Sequence, residues 1–148
     1  MGKKDKGLHE EILKCLNKIY QEEMAGINRY LHYSFMIMGH NRIPIQKWFQ
    51  TQATESMGHA LMVGEKITSL GGHPTHRVAE LPETRTHKID DILKESLTFE
   101  ARGLELYKEL VGLAIDSGDI ALEELGRGMV RQETEHLEEV SKMLRSNK

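Results

Sequence analysis

Two blocks of this chain repeat one pattern of side chains at a constant offset. Glu23, Gly26 and Tyr30 form E-x-x-G-x-x-x-Y, and Glu100, Gly103 and Tyr107 form it again 77 positions later. His59 lies 36 residues after Glu23, and His136 lies 36 residues after Glu100. The second half also carries Glu133, three residues before its His, so the repeat predicts a Glu at position 56. The chain has Ser56 there.

Around these residues the apolar positions recur at helical spacing in four blocks. The first, roughly 8–38, has a stripe of Leu16, Ile19, Tyr20, Glu23, Ile27, Tyr30 and Ser34. The second, roughly 44–70, runs Ile45, Trp48, Phe49, Gln52, Ser56, His59, Val63 and Leu70, with Pro44 suited to the first helical position. The third, roughly 89–116, gives Leu93, Leu97, Glu100, Leu104, Tyr107 and Val111. The fourth, roughly 120–145, gives Leu122, Leu125, Met129, Glu133, His136, Val140 and Leu144, with Asp119 placed to cap it. The three prolines, at 44, 74 and 82, leave these blocks otherwise unbroken, and an all-α fold follows.

Short links around Gly39–Ile43 and Asp116–Asp119 make two antiparallel helix pairs. Between the second and third helices lie about 18 residues, Gly71–Lys88, rich in Gly, Pro, Thr and His. A helix of about 27 residues is about 40 Å long, and 18 extended residues reach about 60 Å. The segment can therefore cross the whole bundle, although a shorter path to the near end is also open. Two hairpins joined by one long crossover is the ferritin-like arrangement of a four-helix bundle. At 148 residues the chain is expected to form one domain over 1–148.

Composition excludes several functions. A net charge of −3 with 29% charged residues gives no footprint for nucleic acid or a membrane surface. No apolar run approaches the roughly 18 residues of a membrane span. Met1–Lys6 has no apolar segment behind it, and a cytoplasmic location is expected. The single Cys15 rules out an internal disulfide and an all-cysteine metal site.

Glu23, Glu100, Glu133, His59 and His136 fall within the apolar stripes, near the middle of their helices. A buried, unpaired carboxylate costs several kcal/mol, and three together also repel one another. Arg29, Arg102 or Arg131 could turn inward to compensate, with the histidines as ordinary core residues. Taken together, however, two lone Glu residues, one complete Glu-x-x-His and the His of another match the donor set of carboxylate-bridged di-iron bundles. Carboxylate oxygens with imidazole suit Fe(II) or Mn(II).

These residues resemble those of the bacterioferritins over nearly the whole chain. The matching pieces are Glu23–Tyr30 on the first helix, Met57-Gly58-His59-Ala60 with Gly72-His73-Pro74, then Glu100, and Glu133-Thr134-Glu135-His136. The resemblance implies an intra-bundle ferroxidase centre that oxidises Fe(II) with dioxygen or peroxide, and ferric mineral stored in a hollow shell. It assigns Glu23 and His59 to one iron, Glu100 and His136 to the other, and Glu133 to a bridge, with Tyr30 beside them. It also implies haem b between two subunits, ligated by Met57 with Ile27 and Asn28 in the pocket, and a ferredoxin-type electron donor as an external partner. Tyr30 and Tyr107, each seven residues past a ligand Glu, are both close enough in two helical turns to line the centre, with packing the expected role of Tyr107. No role falls to His9, His32, His40, His73, His76 or His87.

The chain departs from the family at two places. Ser56 stands where the family carries its second bridging carboxylate. Glu55 could serve instead, yet it lies about 100° around the helix from position 56 and would by resemblance face the storage cavity. A rebuilt asymmetric di-iron site, a weakened or mononuclear site, or a haem-binding or structural shell subunit with a decayed centre all remain open. Only twelve residues follow His136, where the family has a further short helix, so shells of 12 or 24 subunits are both expected alternatives. A rubrerythrin-type peroxidase would usually need a Cys-x-x-Cys module, which one cysteine cannot supply.

Overall fold

The computed structural model describes residues 2–145; Met1 and residues 146–148 lie outside them. Four helices account for the fold: α1 (Lys3–Met36), α2 (Arg42–Ser69), α3 (Ile89–Ser117) and α4 (Ile120–Leu144). No strand occurs among the described residues, and no helix there is long and apolar enough to cross a membrane.

The helix ends follow local chemistry. α1 starts five residues before the expected position, because residues 3–7 are exposed and carry no apolar stripe to mark them. They extend a helix already nucleated further on, which requires only one hydrogen bond per residue fixed. Pro44 is the third residue of α2, not the first. The position still suits it, since the first four N–H groups of a helix lack partners within the helix. α2 ends where Gly71 (φ +83°) turns the chain, with Gly72 N–H donating to Ile67 and Gly71 N–H to Thr68. α3 ends alike at Gly118 (φ +73°), with Asp119 N–H donating to Ala114. Left-handed φ of this kind suits glycine, which has no Cβ to clash. Asp119 then caps α4 by accepting from Leu122 N–H at 3.0 Å.

The crossover takes the long path. Asn17 receives Thr75 N–H at 2.9 Å, Ala79 N–H reaches the Gln21 carbonyl, and His87 Nδ1 contacts the Met36 carbonyl at 2.9 Å. These contacts climb from the first half of α1 to its last residue, so α3 starts at the far end. Thr84 and Tyr33 both donate to the Glu95 carboxylate, which ties the crossover to α1 and α3.

Packing divides the interior into two apolar clusters. One is built from Leu16, Ile19, Val63, Ile67, Leu110 and Leu122, the other from Tyr33, Ile37, Phe49, Ile92, Leu93 and Val140. By position along the helices, the repeated Glu and His residues lie between them. α1 packs closely on α2 and on α3, and α3 on α4, but among the described residues no Cα of α2 comes within 8 Å of one in α4.

Candidate metal centre

Four helices each contribute to one small cavity of about 50 Å³ at mid-bundle. α1 supplies Glu23, α2 His59, α3 Glu100, and α4 both Glu133 and His136. The last two project together because residues three apart share a helical face. All three carboxylates are buried, at 7–9% exposure. Among the described residues, Glu23, His59 and Glu133 each offer one ligand atom within 4.8 Å of the others.

Around Glu23 the geometry suits a cation. Tyr107 donates its hydroxyl to Glu23 Oε1 at 2.9 Å, leaving the second carboxylate oxygen available. Burial first, then the charge of Glu23, pushes the Tyr107 pKa well above the usual tyrosine range, so the group remains a neutral donor. His59 Nδ1 is 3.5 Å from Glu23 and 3.6 Å from Glu133, and it makes no hydrogen bond. Its other nitrogen, Nε2, is 3.2 Å from Gln132 Oε1. With Nε2–H donating to that oxygen, Nδ1 holds either a lone pair facing two carboxylates or a proton. A metal ion placed there replaces the proton, and the Gln132 contact fixes the ring that presents it.

The electrostatics agree. Burial alone would lower the His59 pKa, but the neighbouring Glu23 carboxylate, helped by Gln132 and Glu55, raises it. Glu133 is pushed far above the usual carboxylate range, by burial first and then by Glu100, Glu23 and Glu55. Without a bound cation this group retains a proton at neutral pH. The donor chemistry therefore fits one divalent ion held by Glu23, His59 and Glu133.

The surroundings of Glu100 differ. Arg29 turns inward, 8% exposed, and its Nη2 lies 3.6 Å from Glu100 Oε1. Its guanidinium carbon stands 4.6 Å from the Phe99 ring centre and 5.2 Å from that of Tyr30, within cation–π range. His136 Nε2 is 3.9 Å from Glu100 Oε2 and 3.3 Å from the Tyr30 hydroxyl, and its ring stacks on Trp48 at 5.4 Å. The other two arginines stay outside. Arg102 pairs with Glu22 at 2.6 Å, and Arg131 is 76% exposed beside Glu135.

Ser56 is buried next to Gly26, where an added Cβ would meet its Oγ at 3.0 Å. Glu55 lines the same cavity from an exposed position, while Ser56, where the repeat calls for a carboxylate, brings no charge. Met57, Ile27 and Asn28 are absent from the residues lining the cavity, and Met57 is 54% exposed. Three neighbours of the centre were not assigned to it from the sequence. The sequence offers Arg29 only as a salt-bridge alternative and Tyr107 chiefly as packing, and it gives no sign of Gln132. The seven-residue spacing from Glu100 was a signal for Tyr107; Gln132, on an exposed face, gave none.

Comparison with known proteins agrees with this architecture. Residues 13–148 match the family model described as Ferritin-like domain. The bacterioferritin of Desulfovibrio desulfuricans is 26% identical over 129 residues, spanning 86% of this chain and 70% of that protein. A bacterial non-heme ferritin from Bacteroides fragilis is 24% identical over 128 residues, spanning 86% and 80%. A ferritin-like, diiron-carboxylate protein structure from Bacillus anthracis superposes with a TM-score of 0.89 at 24% identity, covering 98% of this chain and all of that one. The chain belongs to the ferritin-like family, and handling iron in the manner of a ferritin is the class of function this membership supports.

Proposed function

We propose that this chain, acting as one ferritin-like domain, is an iron-storage subunit with ferroxidase activity that takes up Fe(II) at mid-bundle. The observation that carries the reading is the His59 Nδ1 atom, buried without a hydrogen bond between two carboxylates. When bound, ferrous iron supplies the one-electron chemistry, with dioxygen or peroxide as acceptor. The protein's part is positional. Glu23, His59 and Glu133 hold the ion, Tyr107 orients Glu23, Gln132 fixes the His59 tautomer, and exposed Glu55 attracts cations to the cavity. Tyr30 and Phe99, 2% and 9% exposed, shield the Glu100 side from water.

Outer apolar residues support self-association into a hollow shell. Leu61, Phe35 and Met57 are 63%, 59% and 54% exposed, so they are available to be covered by neighbouring subunits. An exposed thioether is also free to ligate, so Met57 fits the haem b place between two subunits, with Ile27 and Asn28 as the pocket residues that the family resemblance assigns. A shell subunit with a weakened centre is the second reading, favoured by the Arg29–Glu100 contact.

Anaerobic loading with Fe(II) followed by air separates the two. Ferric absorbance that rises faster than in buffer, and slows in Glu133→Ala, supports the ferroxidase. Oxidation no faster than in buffer supports the second reading. Native mass measurement on the same sample distinguishes shells of 12 from 24.

A further inference from the structure

The internal repeat supplies a test of which residues are out of place. Shifted by 77 positions, Glu23, Gly26, Tyr30 and His59 correspond to Glu100, Gly103, Tyr107 and His136. Four positions around the cavity break the correspondence in charge. Of these, Glu22 (opposite Phe99) is paired with Arg102 at 2.6 Å and Glu55 (opposite Gln132) is exposed, which leaves two that are buried and not neutralised from outside the cavity. Ser56 stands opposite Glu133, a carboxylate lost, and Arg29 stands opposite Leu106, a guanidinium gained. Both changes are in the first half of the chain, and they meet in space. A Cβ on Gly26 would lie 3.0 Å from Ser56 Oγ and 3.8 Å from Arg29 Nη2.

We propose that Arg29 is a resident cation that takes the charge-balancing place of a second metal ion, so that this centre holds one divalent ion per chain. Once a metal ion displaces the Glu133 proton, three buried carboxylates and one guanidinium leave two negative charges, which a single divalent ion cancels. With a Glu at position 56 and no inward arginine, four carboxylates would call for two such ions. The arginine is permanently charged and cannot step aside by losing a proton. It is more than nine-tenths buried, its Nε and Nη1 have no partner, and Nη2 faces Glu100 at 3.6 Å. An ion at Glu100 and His136 would meet that charge in a site where solvent screens it little. The neighbours have adjusted to match. By the repeat, Tyr30 should reach Glu100 as Tyr107 reaches Glu23, but its hydroxyl lies against His136 instead. Arg29 is thus a specificity-determining residue: it sets how many ions the cavity accepts.

The proposal rests on the metal-binding reading above, and ion stoichiometry separates the two. Anaerobic titration of the full-length protein with Zn(II), followed by calorimetry, should give one tight site per chain. Arg29→Gln with Ser56→Glu should give two, and Arg29→Gln alone should tighten the second ion by about ten-fold or more. Circular dichroism and elution volume check that each variant is folded and assembled. Two tight sites in the natural chain would overturn this proposal alone, and that measurement stands even if a variant fails to fold. A folded double variant that still binds one ion would also overturn it. No tight site in any form would remove the metal-binding reading and the proposal with it.

Discussion

Glu23 and Glu100 belong to the same repeated octapeptide, sit at mid-helix and are equally buried, yet their surroundings have diverged. Glu23 faces an imidazole nitrogen that lacks a partner and a tyrosine hydroxyl at 2.9 Å. Glu100 faces a guanidinium at 3.6 Å, while its own histidine is stacked on Trp48 and held by Tyr30. One side is left short of positive charge and the other is supplied with it. A buried acid can be stabilised by the protein itself or by something the protein must acquire, and this chain uses both solutions a few ångströms apart.

Glu133 stands between the two sides, and neutralising it should have the largest effect. Its folded-state pKa lies well above the unfolded value near 4.5, so its contribution is fully present below that value and is lost as pH rises. Glu133→Gln should therefore stabilise the metal-free protein by about 2 kcal/mol at neutral pH, with the gain vanishing as the solution is acidified below the unfolded pKa. Urea unfolding with chelator across that range measures it; a loss of stability at neutral pH would mean that Glu133 is already compensated.

The tyrosines sharpen the contrast. Tyr107→Phe removes a buried donor from a carboxylate and should cost about 1.5 kcal/mol, whereas Tyr30→Phe, at 3.3 Å from an imidazole, should cost about 1 kcal/mol. Equal losses in chelated protein would erase the asymmetry. The smallest expected effect separates the two glycines. Gly103→Ala has open space and should gain about 1 kcal/mol from helix propensity. Gly26→Ala should gain nothing against Ser56 Oγ at 3.0 Å, and Ser56→Ala should restore the gain. Thermal unfolding of Gly103→Ala, Gly26→Ala and the Gly26→Ala/Ser56→Ala double variant reads this out.

Much of this was legible in the sequence because charge at an apolar position is conspicuous. The stripes located all four helices, and Glu23, Glu100, Glu133, His59 and His136 stood out as polar residues where leucine would be expected. The crossover was legible through its length and its Gly, Pro and Thr content. What stayed hidden depends on reach. Arg29 lies beside Tyr30, one position off the stripe, and only its long side chain brings the charge inside. The roles of Tyr107 and Gln132 depend on partners 84 and 73 residues away on other helices. Periodicity records which face a residue occupies, and it carries no information on which atom across the bundle that residue meets.

The wide spacing of α2 and α4 has a mechanical side. Elsewhere neighbouring helices touch along their backbones, but here the gap is spanned by side chains, with His59 reaching Gln132 and Glu133 and Trp48 lying on His136. An ion gripped from both banks at once would rivet the two hairpins together, so the filled subunit is the stiffer one. On the metal-binding reading proposed above, the cargo would double as a fastener, and the seam would loosen again when the ion leaves.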